Sequence, residues 1–503
     1  MSAAPGSQPS PPGGTGRRRV GTGVIVTLVA VIVVGSLLSV AVLVATLAPR
    51  GSAAPAETSA TEGAVKPTPS GTGAQPFIQG VDESGRFFVD QTGQPILVKG
   101  DSPWSAFVDL STDEWQAWCA DRQARGFNAA IVSALGNSVN GGPSDTGATF
   151  DGVLPFSDRL FTPNEDYWTR VDEFIAIAAQ YGITVFLYPV DGWVASESMH
   201  GVVAGMNGDE AQRYGEWIAR RYASAPNIMW MGGGDFEPLV GSDGEVIHQG
   251  VFDGIRRFDS RPYSLQTIYQ RSSSRMWPVW RDRVDWDFLY TRLPPYELIW
   301  ESWDRSPARP ALFGEGVYAG MYDNPPAATR MQLGWALTSG SPGDFYGTPD
   351  WSFEEGWQDR LGQETTEQVS AMRRAVEATA WFTLEPARGF IRTGAGTPYR
   401  FPYVNDPAAP RQFDDKNGPN ASSVPPTLAE HDYATAAVAA DGTLAIAYLP
   451  TARPITVDLD SLGANPVGTW IDARTGASTP ARMDELNPPS AGDWLLIIHA
   501  DPK

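Results

Sequence analysis

The chain has 503 residues, of which 42% are apolar and 19% charged, and it carries a formal charge of −21. Such a length suggests two or three folding units, the composition excludes general disorder, and the acidity excludes nucleic acid, whose binding rests on basic surface. The single cysteine, Cys119, excludes an internal disulfide, His200, His248, His431 and His499 have no zinc-ligand spacing, and the folded region has no dinucleotide or phosphate-loop motif, so no essential cofactor is expected.

Residues 1–19 read as a disordered cytoplasmic tail rich in Pro, Gly and Ser that ends in Arg17, Arg18 and Arg19. Residues 20–49 carry no charge, and the apolar run from Val24 to Leu47 is long enough at about 1.5 Å per residue to cross a hydrocarbon core of roughly 30 Å. Three arginines before the run and only Arg50 just after it predict a single-pass anchor in a lipid bilayer, N-terminus inside and the rest extracellular. The alternative is a signal peptide cleaved after small residues near Ala48, giving a secreted protein. Residues 50–76, mostly Ala, Pro, Thr, Ser and Gly, read as a flexible linker.

From residue 77 to about 390, short β-rich runs alternate with helical patterns. Eight runs are predicted as strands, at 96–99, 128–133, 183–188, 228–231, 263–267, 287–290, 311–313 and 344–346. A helix opens at the capping box Ser111-Thr112-Asp113-Glu114, and another places Trp168, Val171, Ile175 and Ala178 on one side before Gly182. Eight strand-helix units predict a (β/α)8 TIM barrel, with a doubly wound open sheet as the alternative. Residues 395–503 change to short alternating strands with a hairpin signal at Asp441-Gly442, which predicts a small C-terminal β-sandwich.

A barrel of this kind builds its site where strands end at their C-terminal side. Asp101 and Trp104 follow the first predicted strand, Asp191 and Trp193 the third, Asp235 and Glu237 the fourth, and Glu315 and Tyr318 the seventh. Tyr269, Tyr290 and Tyr346 follow the fifth, sixth and eighth. Acids and aromatics together suit an oligo- or polysaccharide, whose apolar ring faces lie on aromatic side chains while paired carboxyls cleave the glycosidic bond. Asp235 ends an apolar strand after Gly232-Gly233-Gly234, and Glu315 lies between Gly314 and Gly316. These two are the expected catalytic pair, with Glu237 the competing acid. The plainer reading of each is a cap or an ion pair, and Asp101 is as well placed to brace the barrel as to touch a substrate.

Lys99-Gly100-Asp101-Ser102-Pro103-Trp104, Arg122-Gln123-Ala124-Arg125-Gly126-Phe127-Asn128, Trp230-Met231-Gly232-Gly233-Gly234-Asp235 and Gly314-Glu315-Gly316-Val317-Tyr318 resemble the apiosidase-like glycoside hydrolase family. The tail, through Asp441-Gly442 and the run from Gly468 to Gly476, is similar to the collagen-binding-type β domain that follows it in such proteins. The resemblance implies an O-glycoside hydrolase of the retaining type, with Asp235 as acid/base and Glu315 as nucleophile, and the expected anchor would hold it at the cell surface. Two loops depart from the family pattern: Tyr269-Gln270-Arg271 stands where a His-Pro pair is usual, and Tyr290-Thr291-Arg292 where a Gln-Ser-Gly-like segment is usual. The apiose substrate therefore transfers less directly than the chemistry. A non-catalytic carbohydrate-binding or adhesion protein and an envelope transglycosylase are the alternatives.

Overall fold

The structure, a computed structural model, describes residues 75–503 apart from 159–161, 196–200, 239–240, 269–270, 322–323, 400–427 and 429–430. The expected tail, membrane span and all but the end of the linker lie outside the described residues. Among the described residues no helix is long and apolar enough to cross a membrane.

The first three strands, β1 (Ile78–Val81), β2 (Phe88–Asp90) and β3 (Pro95–Ile96), form a small antiparallel sheet. It closes the lower end of the barrel: Ile78 and Phe88 are buried with the inward residues of the barrel strands, and the Phe88 and Trp286 rings meet edge to face at 5.5 Å. The barrel wall is β4 (Val98–Asp101), β5 (Ala129–Ser133), β6 (Thr184–Tyr188), β7 (Ile228–Phe236), β8 (Tyr263–Thr267), β9 (Arg271–Ser273), β10 (Asp287–Thr291), β11 (Ala311–Glu315) and β12 (Gly343–Tyr346). All eight predicted strands are present and mutually parallel. β9 was not foreseen and runs antiparallel beside β10.

That strand corrects the expectation of a fully closed eight-stranded barrel. The sheet order runs β8-β7-β6-β5-β4-β12-β11-β10-β9, so β8 and β10 are not joined by a strand ladder. Side chains close the seam instead. Ser264 Oγ donates to the Trp286 carbonyl at 2.8 Å and lies 2.9 Å from Ser274 Oγ, which accepts from Phe288 N at 2.8 Å. Serines suit this place because one short hydroxyl both donates and accepts where the ladder is interrupted.

Helices cover the wall as their patterns predicted. Ser111 and Glu114 form the reciprocal capping box of the Thr112–Ala124 helix, and Trp168, Val171, Ile175 and Ala178 are all buried on the Glu165–Gln180 helix. Cys119 is wholly buried, as a small apolar side chain would be.

The tail is a six-stranded antiparallel sheet backed by a two-stranded ribbon. The sheet orders β13 (Leu384–Pro386), β15 (Thr435–Ala439), β16 (Leu444–Leu449), β20 (Trp494–His499), β18 (Val467–Asp472) and β19 (Ser478–Ala481), and the ribbon pairs β14 (Ile391–Thr393) with β17 (Thr456–Val457). It begins at Leu384, ahead of the sequence boundary, because β13 pairs with β15 rather than with the barrel. One side of the sheet buries Trp470, Trp494 and Leu496 against the ribbon and its loops, and the other packs Ile446, Tyr448 and Leu495 against barrel helices. The Pro326–Leu337 helix is the principal contact. Gly334 lets the Tyr448 ring lie against its backbone, and Arg330 forms a two-pronged ion pair with Asp493 at 2.9 and 3.0 Å.

Because both partners of that pair are buried, Asp493→Ala should destabilise the protein by about 3–5 kcal/mol, leaving the guanidinium without its counter-charge. Urea unfolding measures it. Replacing both residues by apolar ones of similar volume should recover most of the loss, and a single-residue effect under about 1 kcal/mol would mean the interface does not depend on the pair.

Candidate active site

Side chains alternate across a strand, so the inward residues of each strand follow from its neighbours. Val98 and Gly100 face the interior, Gly100 directly under the Phe345 ring. Asp101 therefore faces the helices, where Arg122 Nε meets its Oδ2 at 2.5 Å and Ser102 N meets its Oδ1 at 2.8 Å. Tyr346 likewise points outward, with its hydroxyl 3.2 Å from Thr366 Oγ1 and accepting from Gln363 Nε2 at 3.1 Å. Tyr346 is expected at the mouth, and Asp101 either there or bracing the barrel. Their alternation parity puts them on the other side of the wall, where Asp101 braces a helix.

The same parity faces Asp235 inward, in step with Met229 and Met231, but would send Glu315 outward with Phe313, and both strand ends carry bulges. On β7, Gly233 pairs with Gln266 and Phe236 with the next residue, Thr267, so Gly234 and Asp235 are extra. Gly233, Gly234 and Asp235 have φ of 90°, 92° and 46°. A side chain on Gly233 would collide with the Gln266 carbonyl. Aspartate tolerates the left-handed region better than most residues, at a cost of about 1–2 kcal/mol. On β11, Phe313 pairs with Leu289 and Glu315 with the adjacent Tyr290, so Gly314 is the extra residue and Glu315 turns inward. Bulges of this kind re-aim side chains beside active sites.

Around Glu315 the interior is rich in donors. Gln266 Nε2 donates to Glu315 Oε2, and the Tyr188 hydroxyl donates to Gln266 Oε1 at 2.8 Å, which leaves only the amide N–H to face the carboxylate. The hydroxyls of Tyr290 and Tyr318 also bond to Glu315, and Trp104 Nε1 donates to the Tyr318 hydroxyl at 2.9 Å. The Trp104 and Tyr188 rings lie 4.8 Å apart. Asp235 differs: its Oδ1 is buried with no hydrogen-bond partner among the described residues.

Burial raises both carboxyls, Asp235 to about 6 and Glu315 to about 8. The charge of Asp235 adds to the rise at Glu315 and that of Asp191 to the rise at Asp235, while the Arg292 guanidinium opposes both. Two interacting acids titrate as a pair, so this one holds a single proton near neutrality. The two values alone would leave that proton on Glu315. The hydrogen bonds favour Asp235, because the donors aimed at Glu315 stabilise an anion and Asp235 Oδ1 receives none.

Asp191 is buried and fully engaged, accepting from Ser133 Oγ at 2.6 Å, Asn140 Nδ2 at 2.8 Å and the Trp193 and Val194 amides at 2.9 Å. It shapes the loop after β6 rather than offering an oxygen to a ligand. Trp193 and Glu237 are half-buried on the loops after β6 and β7, and Tyr269 lies outside the described residues. Sequence reasoning misses Gln266 and Tyr188, whose only signal is inward parity on the two strands that flank β7. No group of three or more metal-binding side chains occurs among the described residues.

A family model described as "Apiosidase-like, catalytic domain" matches residues 82–383. Among solved structures, one described as a glycoside hydrolase matches with a TM-score of 0.69 at 20% identity, covering 84% of this chain and 97% of the other. A glycoside hydrolase family 5 protein from Bacteroides vulgatus gives the same TM-score and identity over 84% of this chain and 93% of its own. A further glycoside hydrolase from that bacterium matches at a TM-score of 0.58 and 13% identity, covering 86% and 84%. At such identities the structures show a shared fold, while the family rests on the sequence model. No curated protein matches the chain.

Electrostatic coupling of the pair predicts that Glu315→Gln lowers the pKa of Asp235, since Glu315 is the anion present while Asp235 gives up its proton and the substitution removes that neighbouring negative charge. A 13C NMR titration of aspartate-labelled protein reads this directly. An unchanged or raised Asp235 value would show that the two groups do not share a field.

Proposed function

The chain belongs to the apiosidase-like glycoside hydrolase family, and from that premise we propose that it cleaves its glycoside with retention of configuration, using Glu315 as nucleophile and Asp235 as acid/base. The observation that carries this reading is the asymmetry of the pair: Glu315 is held by Gln266, Tyr290 and Tyr318, while Asp235 Oδ1 has no partner among the described residues. A carboxylate fixed by donors suits in-line attack on the anomeric carbon. In the first step a Glu315 oxygen bonds to that carbon as the bond to the leaving oxygen breaks, and Asp235 gives that oxygen its proton. In the second step Asp235 takes a proton from water, the water oxygen bonds to the anomeric carbon, and Glu315 leaves as a carboxylate. Trp104, Tyr188, Tyr290 and Tyr318 form an aromatic wall beside the pair, suited to the apolar side of a sugar ring. Arg292 stands in a loop that departs from the family pattern, so a furanosidic or branched glycoside other than the family's apioside fits this reading equally.

The one-proton state should give a bell-shaped kcat/KM profile with limbs at about 6 and about 8, values that belong to the pair rather than to either carboxyl. Activity is lost at low pH as Glu315 protonates and at high pH as Asp235 loses its proton. Glu315→Gln should remove most turnover. Asp235→Asn should cost about 10²–10⁴-fold on substrates with poor leaving groups and much less on nitrophenyl glycosides. Product NMR at early times checks retention, and an inverted anomer would rule the mechanism out. Polysaccharide binding that survives with no hydrolysis in such screens would favour the adhesion reading, and transfer to an added sugar acceptor the transglycosylase reading.

The location reading rests on the sequence alone. The uncharged stretch from Val24 to Leu47 behind Arg17, Arg18 and Arg19 supports a membrane anchor with the barrel outside the cell. Protease added to intact cells should then release a soluble active fragment cut between residues 51 and 75. A mature chain found free in the medium and starting near Pro49 would show that the segment is a cleaved signal.

A further inference from the structure

Gln332 lies on the Pro326–Leu337 helix outside the barrel wall and is 2% exposed. Its Nε2 donates to the carbonyls of Thr291 and Leu293 at 3.0 and 2.9 Å, the residues on either side of Arg292. Its Oε1 accepts from Val317 N at 2.8 Å, two residues beyond Glu315. Gly316 passes so close that any side chain there would collide with this oxygen. A primary amide has two donors and an acceptor oxygen. Here both donors grip the backbone around Arg292, and the acceptor grips the backbone just past Glu315.

We propose that Gln332 is a positioning residue for hydrolysis, fixing the Arg292 loop against the strand end that presents Glu315. The proposal rests on the reading of Glu315 as the nucleophile. The titratable groups facing the pair are Arg292 and Tyr290 from β10 and its loop, Tyr318 beyond β11, Tyr188 at the end of β6, and Asp191 beyond β6 next to Asp235. Arg292 alone among these is cationic. Its attraction for the carboxylates falls with distance and with access to water, so its benefit depends on a loop that cannot swing outward. Replacing Gln332 by an apolar residue would leave two buried carbonyls and one buried N–H unpaired, and the two loops would separate to rehydrate them. Nucleophile and counter-charge would lose their register while the rest of the barrel keeps its packing.

The test uses the full chain with Gln332→Met, which removes all three bonds, and Gln332→Asn, which keeps a polar amide too short to span both loops and so guards against loss of folding. The first readout is the 13C NMR titration of Glu315, which needs no substrate. Its pKa should rise in both variants as Arg292 withdraws, and less for Asn than for Met. With 4-nitrophenyl apiofuranoside as probe, kcat should fall about 10²-fold, the cost of roughly 1 Å of misplacement, with KM little changed and the acid limb moved to higher pH. A purely structural role would lower the melting temperature and move neither the titration nor the limb. An unchanged Glu315 titration in both variants would overturn the proposal. The parent reading fails separately, if Glu315→Gln keeps its turnover.

Discussion

Two carboxyl groups buried within one another's field are the constraint on which the rest of this structure depends. Taking one charge out of water costs several kcal/mol, and a like charge nearby adds to it. Gln266 and two tyrosine hydroxyls on Glu315, with Arg292 close to both acids, offset part of that cost. The remainder appears as raised proton affinity, which is what general acid chemistry near neutral pH requires. Every element that aims a donor at this pair has to be held in place, and much of the surrounding architecture does that.

The barrel interior meets the requirement by being packed with rings. Phe186, Trp286, Phe288 and Phe345 fill it beneath the site, with Gly100 and Gly314 leaving room for the Phe345 and Phe288 rings. β1 to β3 seal the end opposite the two carboxyls. The barrel therefore presents polar chemistry only where the strands end, as a packed core demands. The seam between β8 and β10 is the exception in the wall, and serine hydroxyls bridge it where a ladder would otherwise run.

The tail joins this scheme through one helix. On Pro326–Leu337, Arg330 reaches Asp493, Gly334 receives Tyr448, and Trp335 donates to the Tyr433 carbonyl at 2.7 Å, all on the tail side. Gln332, between them, reaches the loops that carry Arg292 and Glu315. Tail and site thus share a rigid element.

The positions of the eight parallel strands were legible in the sequence because strands buried on both sides are near-continuous apolar runs, as at Ala129–Ser133 and Thr184–Tyr188. The helix cap at Ser111 and the acids after the glycine runs were legible for similarly local reasons. What sequence could not determine was direction. Asp101 and Glu315 both end apolar strands next to a glycine, yet Asp101 faces Arg122 outside the wall while a bulge at Gly314 turns Glu315 inward. A bulge exists only relative to a neighbouring strand's register, which no single segment encodes. The same holds for β9, for Gln266 meeting Glu315 from 49 residues away, and for Gln332 joining two loops. Local chemistry named the carboxylates, and only the closure of the sheet decided which of them share a site.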